Sequence, residues 1–153
     1  MMNAITRLAT LALAGAALLG SAIAEVPKGW STDLDQAFKD AKKKDKAVLV
    51  EFTGSDWCPP CIMMRKKVFS KEEFVSKASE DFILVELDFP NGDADVRKKN
   101  EPYAKKYNIE GFPTIVLFDS DGGEFTRFTA SAFPTVEGFL AHLEKSLERK
   151  ELD

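Results

Sequence analysis

The two cysteines of the chain, Cys58 and Cys61, limit what can hold the fold together. They are the only cysteines among the 153 residues, and they lie three positions apart. A disulfide between them would close a very short loop and would remove little entropy from the unfolded chain. It cannot cross-link distant segments, so the fold must rest on a hydrophobic core. The composition allows one, because 44% of the residues are hydrophobic and 30% are charged, as in soluble globular domains.

The first 24 residues differ in composition from the rest of the chain. Arg7 is their only basic side chain, and an uncharged apolar segment follows it as far as Ala24. A basic start, an apolar segment and an A-x-A site at its end are typical of a secretory signal peptide. We therefore predict a signal peptide at 1–24, cleavage after Ala24, a single domain at 25–153 and a periplasmic or secreted location. The alternative is an uncleaved membrane anchor, for which residues 8–24 form a short span.

Apolar runs separated by helical patterns predict an α/β domain. Runs rich in β-branched and aromatic residues at 47–52, 82–88 and 111–119 are typical of buried strands. A turn at 120–123 followed by the segment 124–130 predicts a hairpin with a fourth strand. We expect strands separated by helices to be parallel neighbours, and the hairpin to add an antiparallel edge. Ser31 or Thr32 is the predicted cap of the first helix, and a second helix opens at the cysteines and restarts at a capping box of Ser70 and Glu73. A further helix opens at Asn100, and the last carries Val136 on its apolar stripe.

The cysteine pair can be a metal site, a structural disulfide or a redox site. A structural zinc needs four ligands, and the chain adds only one histidine, His142, to the two cysteines. His142 lies off the apolar stripe of the last predicted helix, so we expect it to be exposed. Met63 and Met64 are possible copper(I) ligands, but methionines just after a helix start are more typical of core packing. We predict no metal and no other cofactor.

The position of the pair favours thiol–disulfide exchange. Cys58 falls at the N-terminus of a predicted helix, where the dipole and free N–H groups favour a thiolate, the nucleophile in this reaction. Cys61 lies one turn further along, where it can attack back and release a mixed disulfide. Disulfides persist outside the cytoplasm, and the chain is predicted to be exported. The sequence therefore indicates a redox site.

The motifs around the cysteines resemble the thioredoxin superfamily. The matching segments are VLVEF, DWCPPC and YNIEGFPTIVLFD, followed by a hairpin and a closing helix, and they cover almost all of 25–153. The segment KKVFSKEEF after the cysteines looks most like the C-terminal thioredoxin-like domain of bacterial periplasmic thiol:disulfide interchange reductases. The resemblance implies a thioredoxin fold, which is a central mixed β-sheet flanked by helices, with a dithiol/disulfide active site at Cys58 and Cys61.

The resemblance also implies roles for four further residues. Pro113 matches the cis-proline of the family, and Phe112 occupies the position that tunes substrate contact. Trp57 matches the aromatic residue before the first cysteine. Glu51 matches the buried acid of the family, which by its position can exchange a proton with Cys61. The loop TGSDW is one residue longer than the commonest family pattern, so Glu51 reaches the cysteines either by a different geometry or through water. The alternative for Glu51 is a solvated residue near a strand edge.

The two prolines between the cysteines favour a reductase. Pro59 and Pro60 have no N–H to stabilise a Cys58 thiolate, so the dithiol form is less favoured than in strongly oxidising relatives. An exported reductase implies protein thiols and disulfides as substrates and a membrane electron donor of the thiol:disulfide interchange type. The alternatives are a disulfide oxidase or isomerase, and a thioredoxin-fold binding or chaperone module without redox turnover. The net charge of −4 argues against a nucleic-acid partner, and we expect a monomer.

Overall fold

The computed structural model describes residues 25–152, so the predicted signal peptide lies outside the described residues. Within them lie five α-helices and four β-strands. The helices are α1 (Leu34–Lys44), α2 (Pro59–Met64, continued by a π-helical turn at Arg65–Phe69), α3 (Glu72–Asp81), α4 (Ala94–Lys106) and α5 (Val136–Leu152). The strands are β1 (Ala47–Thr53), β2 (Phe82–Asp88), β3 (Thr114–Phe118) and β4 (Glu124–Thr129). In this part of the chain no helix is long and apolar enough to cross a membrane.

The four strands form one mixed sheet in the order β2-β1-β3-β4. β1 runs parallel to β2 and antiparallel to β3, and β4 closes the edge antiparallel to β3. The predicted mixed sheet flanked by helices is therefore confirmed. The expectation of a parallel third strand is wrong, because β3 lies on the far side of β1 from β2 and runs antiparallel to β1. A parallel pair needs a long connection, but a long connection also permits the antiparallel direction.

The sheet separates two hydrophobic clusters. On one face, α2, α3 and α5 pack against a cluster that includes Leu49, Leu84 and Ile115. On the other face, α1 and α4 cover a cluster that includes Val50. Side chains alternate between faces along a strand, so Glu51 shares the face of Leu49. That face packs against the helix that begins at the cysteines.

Helix α4 begins earlier than the sequence pattern predicts. It starts at Ala94, and the Asp93 side chain caps it by accepting hydrogen bonds from two N–H groups of the first turn. Asn100, the predicted start, is buried in the middle of the helix, and Pro102 lies inside it. Proline is most common at the first helical position, which is why the pattern favoured Asn100. Pro102 is on the exposed side of α4, where water can satisfy the carbonyl that loses its donor.

His142 is partly buried and not exposed as predicted. Its ring stacks on that of Phe133 with centroids 3.9 Å apart, and it meets Phe128 edge-on at 4.4 Å. Burial lowers the pKa of His142 below its usual value, because desolvation disfavours the charged form. The stripe on α5 could not predict this, since the covering rings come from β4 and from the loop before the helix. Within residues 25–152, no three His, Cys, Asp or Glu side chains are grouped as a metal site requires.

Candidate active site

The two cysteines lie where β1 leads into α2. Cys58 is the N-cap residue of α2, and Cys61 lies in its first turn. A disulfide joins them, with their Cα atoms 5.2 Å apart, which is within the usual range. The exposed fraction is 4% for Cys58 and 1% for Cys61. Both residues are thus covered, and they differ mainly in their position on the helix.

Few backbone N–H groups are available at this end of α2. Pro59 and Pro60 fill the first two helical positions and have no N–H. The N–H of Ile62 already donates to the carbonyl of Cys58 at 3.0 Å. An N-cap side chain accepts from the second or third helical residue, and only the third, Cys61, has an N–H. A thiolate on Cys58 therefore has at most one backbone donor in this turn.

A tight turn before α2 positions Trp57 beside the cysteines. The N–H of Cys58 donates to the carbonyl of Gly54 at 3.0 Å, so the turn closes over Gly54. A Cβ atom at Gly54 would lie 2.6 Å from the indole of Trp57, and only glycine leaves room for that ring. The indole N–H of Trp57 donates to the carbonyl of Phe89 at 2.8 Å. The side chain is 41% exposed, which leaves an apolar surface next to Cys58.

The side chains of Asp56 and Arg97 form hydrogen bonds to the backbone of the loop after β2. The carboxylate of Asp56 accepts hydrogen bonds from the N–H groups of Asn91 and Gly92, at 2.9 and 2.7 Å. The bond from Asn91 is the main cause that lowers the pKa of Asp56. The guanidinium of Arg97 donates to the carbonyl of Phe89, which is also the acceptor of the indole N–H. The loop that orients Trp57 is therefore held from two sides, by Asp56 within the DWCPPC motif and by Arg97, which the sequence motifs did not identify.

Phe112 and Pro113 lie beside Trp57. The rings of Trp57 and Phe112 meet edge to face at 5.8 Å, and Phe112 stacks on Phe89 at 5.1 Å. The peptide bond between Phe112 and Pro113 is cis. Because β3 begins at Thr114, the backbone of Phe112 lies outside the sheet ladder. A groove of about 590 Å³ adjoins these rings and is lined by Trp57, Phe89, Asn91, Arg97, Glu101, Ala104, Lys105 and Phe112.

Glu51 is a buried carboxyl on the central strand of the sheet. Its side chain is 1% exposed, and its Oε1 atom has no hydrogen-bond partner among the described residues. Burial raises the pKa of Glu51 well above its usual value, and the neighbouring carboxylate of Glu86 raises it further. Both effects disfavour the charged form. Glu51 is therefore not the solvated strand-edge residue of the alternative interpretation.

A second buried carboxyl, Glu86, lies directly beside Glu51. The two residues are register partners on the parallel strands β1 and β2, so their side chains share one face. The guanidinium of Arg65 binds Glu86, with Nη2 and Oε2 2.5 Å apart. Burial raises the pKa of Glu86 to about 7, although Arg65 counteracts part of the effect. The sequence motifs identified neither Arg65 nor Glu86, but one signal for Glu86 was present: the runs at 47–52 and 82–88 each carry a glutamate at the fifth position.

Comparisons with known proteins agree with this fold and this cysteine pair. A thioredoxin-like domain family matches residues 34–146. The chain is 34% identical over 95 residues to the disulfide bond reductase DsbH of Chlamydia pneumoniae, covering 60% of this chain and 57% of that protein. It is also 34% identical over 116 residues to the thiol:disulfide interchange protein DsbD of Cronobacter sakazakii, covering 75% of this chain and 19% of that protein. The chain thus spans less than two thirds of the length of either relative.

Solved structures give the same fold. A DsbH oxidoreductase superposes with a TM-score of 0.70 at 28% identity, over 83% of this chain and 89% of that chain. The reduced C-terminal domain of DsbD from Neisseria meningitidis superposes with a TM-score of 0.56 at 23% identity, over 74% of this chain and 93% of that domain. At this identity the second similarity concerns the fold alone. The homologues are Dsb-type thiol–disulfide oxidoreductases. The family match over residues 34–146, the mixed sheet and the Cys58–Cys61 pair together mean that the chain belongs to the thioredoxin-like family.

Proposed function

We propose that this protein is an exported thiol–disulfide oxidoreductase that reduces protein disulfides through Cys58 and Cys61. The observation that carries the proposal is the disulfide at the tip of α2, next to an aromatic groove. The names of two relatives, disulfide bond reductase and thiol:disulfide interchange protein, support the same class of reaction. The proposed substrates are protein thiols and disulfides. The proposed electron source is a membrane carrier of the thiol:disulfide interchange type.

The proposed reaction has two exchange steps. The thiolate of Cys58 attacks one sulfur of the substrate disulfide, a new S–S bond forms, and the other substrate sulfur leaves as a thiolate. Cys61 then gives its proton to Glu51 and attacks the sulfur of Cys58, which releases the second substrate sulfur. The dithiol of the protein becomes a disulfide, and the substrate disulfide becomes two thiols. Two electrons have then moved to the substrate, whose two thiolates take protons from water, while the proton of Cys61 is on Glu51.

We assign substrate binding to Trp57, Phe112 and Pro113. Trp57 is 41% exposed on one side of the cysteines, and Ile62, 44% exposed, follows Cys61. Exposed apolar side chains around a reactive sulfur favour contact with another polypeptide. The backbone of Phe112 lies outside the sheet ladder, so it is free to pair with an extended segment of the substrate. The groove beside Trp57 and Phe112 would then receive the side chains of that segment.

The direction of the reaction is tested by the reduction potential of the Cys58–Cys61 couple. We expect a value below about −200 mV, on the reducing side of strong oxidants, because Pro59 and Pro60 leave the Cys58 thiolate at most one backbone donor. Equilibration of the purified protein with glutathione gives the value. A Pro60→His variant restores an N–H and adds a positive charge when protonated, and we expect it to raise the potential by tens of millivolts.

The control for this measurement is Lys66→His, which adds a histidine at an exposed position of the π-helical turn, away from the helix tip. We expect it to leave the potential unchanged. A wild-type value near about −120 mV, that of a strong oxidant, would overturn the proposed direction and make the protein a disulfide donor. An unchanged potential in Pro60→His would mean that the prolines do not set it.

Export is tested by the N-terminus of the purified protein. The apolar segment and the Ala22-Ile23-Ala24 site are those of a cleaved signal peptide, so we expect mass spectrometry to find Glu25 as the first residue. The mature protein should lie in the soluble extracytoplasmic fraction. Recovery of the full-length chain from membranes would instead support the anchor and would reject cleavage.

A further inference from the structure

The two buried glutamates of the sheet differ in their access to water. Glu51 lies on the central strand, between Glu86 on β2 and Ile115 on β3. It is 1% exposed, and its Oε1 atom meets no hydrogen-bond donor within residues 25–152. Nothing that contacts Glu51 on its own strand leads to the surface, since all of β1 is buried. A proton on Glu51 therefore has to leave through a neighbour.

Glu86 is the neighbour that leads outward. It lines a cavity of about 130 Å³ together with Val26, Thr32, Asp88, Val96, Lys99 and Asn100. Thr32 and Lys99 are exposed, so the cavity reaches the surface. Its volume is sufficient for a few water molecules. Glu86 thus lies beside Glu51 on the neighbouring strand and also lines a water-accessible space.

Among the described residues, Arg65 is the cation nearest to the carboxyl groups of Glu51 and Glu86. Arg65 is 15% exposed, its Nη2 binds Glu86, and its Nη1 donates to the carbonyl of Glu25 at 2.6 Å. When two carboxyl groups are adjacent in a buried site, the charge on one raises the pKa of the other, so both ionise only at high pH. Because Arg65 compensates one negative charge and contacts Glu86, it favours an ionised Glu86 and a protonated Glu51. The pair then holds one proton, whose location depends on Arg65.

The other charged groups around the pair do not replace Arg65. Asp88 on β2 is held by Ser55, whose backbone N–H and hydroxyl donate to its two carboxylate oxygens at 2.9 and 2.5 Å. Lys99 on α4 lies at the exposed part of the cavity. On the α2 side the titratable residues are the two cysteines, and β3 contributes the uncharged Ile115. The balance of charge at Glu51 therefore depends chiefly on Glu86 and Arg65.

We propose that Glu86 and Arg65 are positioning residues for disulfide exchange, which pass the proton of Glu51 to water in the cavity and set the pH at which Cys61 becomes reactive. Glu51 first loses its own proton through the Glu86 carboxylate to water. The ionised Glu51 then accepts the proton from the sulfur of Cys61, and this proton leaves by the same path. No electrons move along this path. The inference rests on the proposed function, in which Glu51 accepts the proton of Cys61.

A two-step colour reaction separates the two cysteines. The reduced protein is mixed with dithiobis(nitrobenzoate), an aromatic disulfide that releases one coloured thiolate when Cys58 attacks it and a second when Cys61 resolves the mixed disulfide. The rate of the second release, measured against pH, reports the activation of Cys61. We expect this rate to rise with pH as Glu51 ionises. The first release serves as an internal control, because it depends on Cys58.

Replacing the two positioning residues should move the midpoint of the second release in opposite directions. Glu86→Gln removes a negative neighbour and leaves Arg65, so we expect the midpoint to fall by about one pH unit or more. Arg65→Gln removes the cation, so we expect a rise of similar size. Arg65→Lys keeps the charge and should restore the wild-type midpoint. Lys66→Gln makes the same charge change at an exposed neighbouring position and should shift nothing.

The outcomes separate this inference from the proposed function. If Glu51→Gln abolishes the pH transition while Glu86→Gln and Arg65→Gln leave it in place, or move it in the same direction, the inference is overturned and Glu51 remains the acceptor. If Glu51→Gln keeps the transition, the proposed role of Glu51 itself fails. Should both single variants fail to fold, the double variant Arg65→Met/Glu86→Leu replaces the ion pair by apolar packing. It should slow the second release several-fold at every pH, and an unchanged rate would overturn the inference.

Discussion

A Cys58→Ala variant is expected to lose disulfide reduction by more than about 10³-fold, as enzymes do when their nucleophile is removed. Cys58 lies at the N-terminus of α2, where the helix dipole favours a thiolate, while Cys61 lies inside the first turn. Reduction of insulin with dithiothreitol as the electron source measures the loss. A Cys61→Ala variant should also turn over poorly, but for a different reason: it attacks the substrate and then remains attached to it.

The two cysteine variants are matched controls for each other, because each lacks the same short disulfide and little stability depends on such a link. Mixed disulfides with substrate should accumulate in Cys61→Ala and not in Cys58→Ala, as seen by electrophoresis without reductant. Trapping through Cys61 in the Cys58→Ala variant would reverse the order of attack. Reduction of insulin by the wild type no faster than by dithiothreitol alone would reject redox turnover and favour the binding or chaperone module.

Local patterns were sufficient for much of the fold. The run at 82–88 was predicted with the bounds of β2, and the run at 47–52 is one residue shorter than β1. Continuous apolar runs between polar segments are a strong local signal for buried strands. The cysteine pair at the start of α2 was equally predictable, because two prolines after Cys58 are compatible only with the first helical turn.

Features that depend on pairing between distant segments were not predictable in the same way. Glu86 becomes a partner of Glu51 only when β1 and β2 align in register, and neither strand alone specifies that alignment. Arg65 reaches Glu86 only when the end of α2 packs over β2, which apolar periodicity does not reveal. The position of His142 depends on rings contributed by two other segments. The chemistry at Cys58 could thus be predicted from local residues, and the electrostatics around Glu51 could not.

Glu51→Gln is expected to change how stability depends on pH. A carboxyl whose pKa is raised by folding binds its proton more tightly in the folded state, so the free energy of unfolding falls as pH rises through the interval between the unfolded and folded values. For Glu86 that interval runs from its ordinary 4.5 to about 7. Glu51 is raised in the same direction, so both carboxyls cost stability at neutral pH. Each pH unit of such a gap corresponds to about 1.4 kcal/mol.

In Glu51→Gln a neutral amide replaces the carboxyl and cannot ionise. The variant therefore loses the part of the pH dependence of the unfolding free energy that comes from Glu51, and it keeps the part that comes from Glu86. Near about pH 4.5 the Glu51 carboxyl is protonated when the protein is folded, so the variant should differ from the wild type there only by its amide contacts. Near about pH 8 we expect the variant to be more stable than the wild type relative to that baseline, because only the wild type has to ionise or keep protonated a buried carboxyl there. Urea unfolding of the oxidised proteins across this range measures the difference.

The matched control is Glu148→Gln, which removes an exposed carboxyl from α5 and should leave the pH dependence of the wild type intact. A Glu51→Gln difference that stays constant with pH would mean that Glu51 ionises as easily in the folded protein as in the unfolded chain, and it would then be a poor reservoir for the proton of Cys61. A difference that grows with pH would mean that the fold holds a proton on Glu51 at a cost in stability. Such a cost is common where a site keeps a reactive group in an unfavourable environment, and here it would keep a proton acceptor buried on the sheet face that packs against the helix of Cys61.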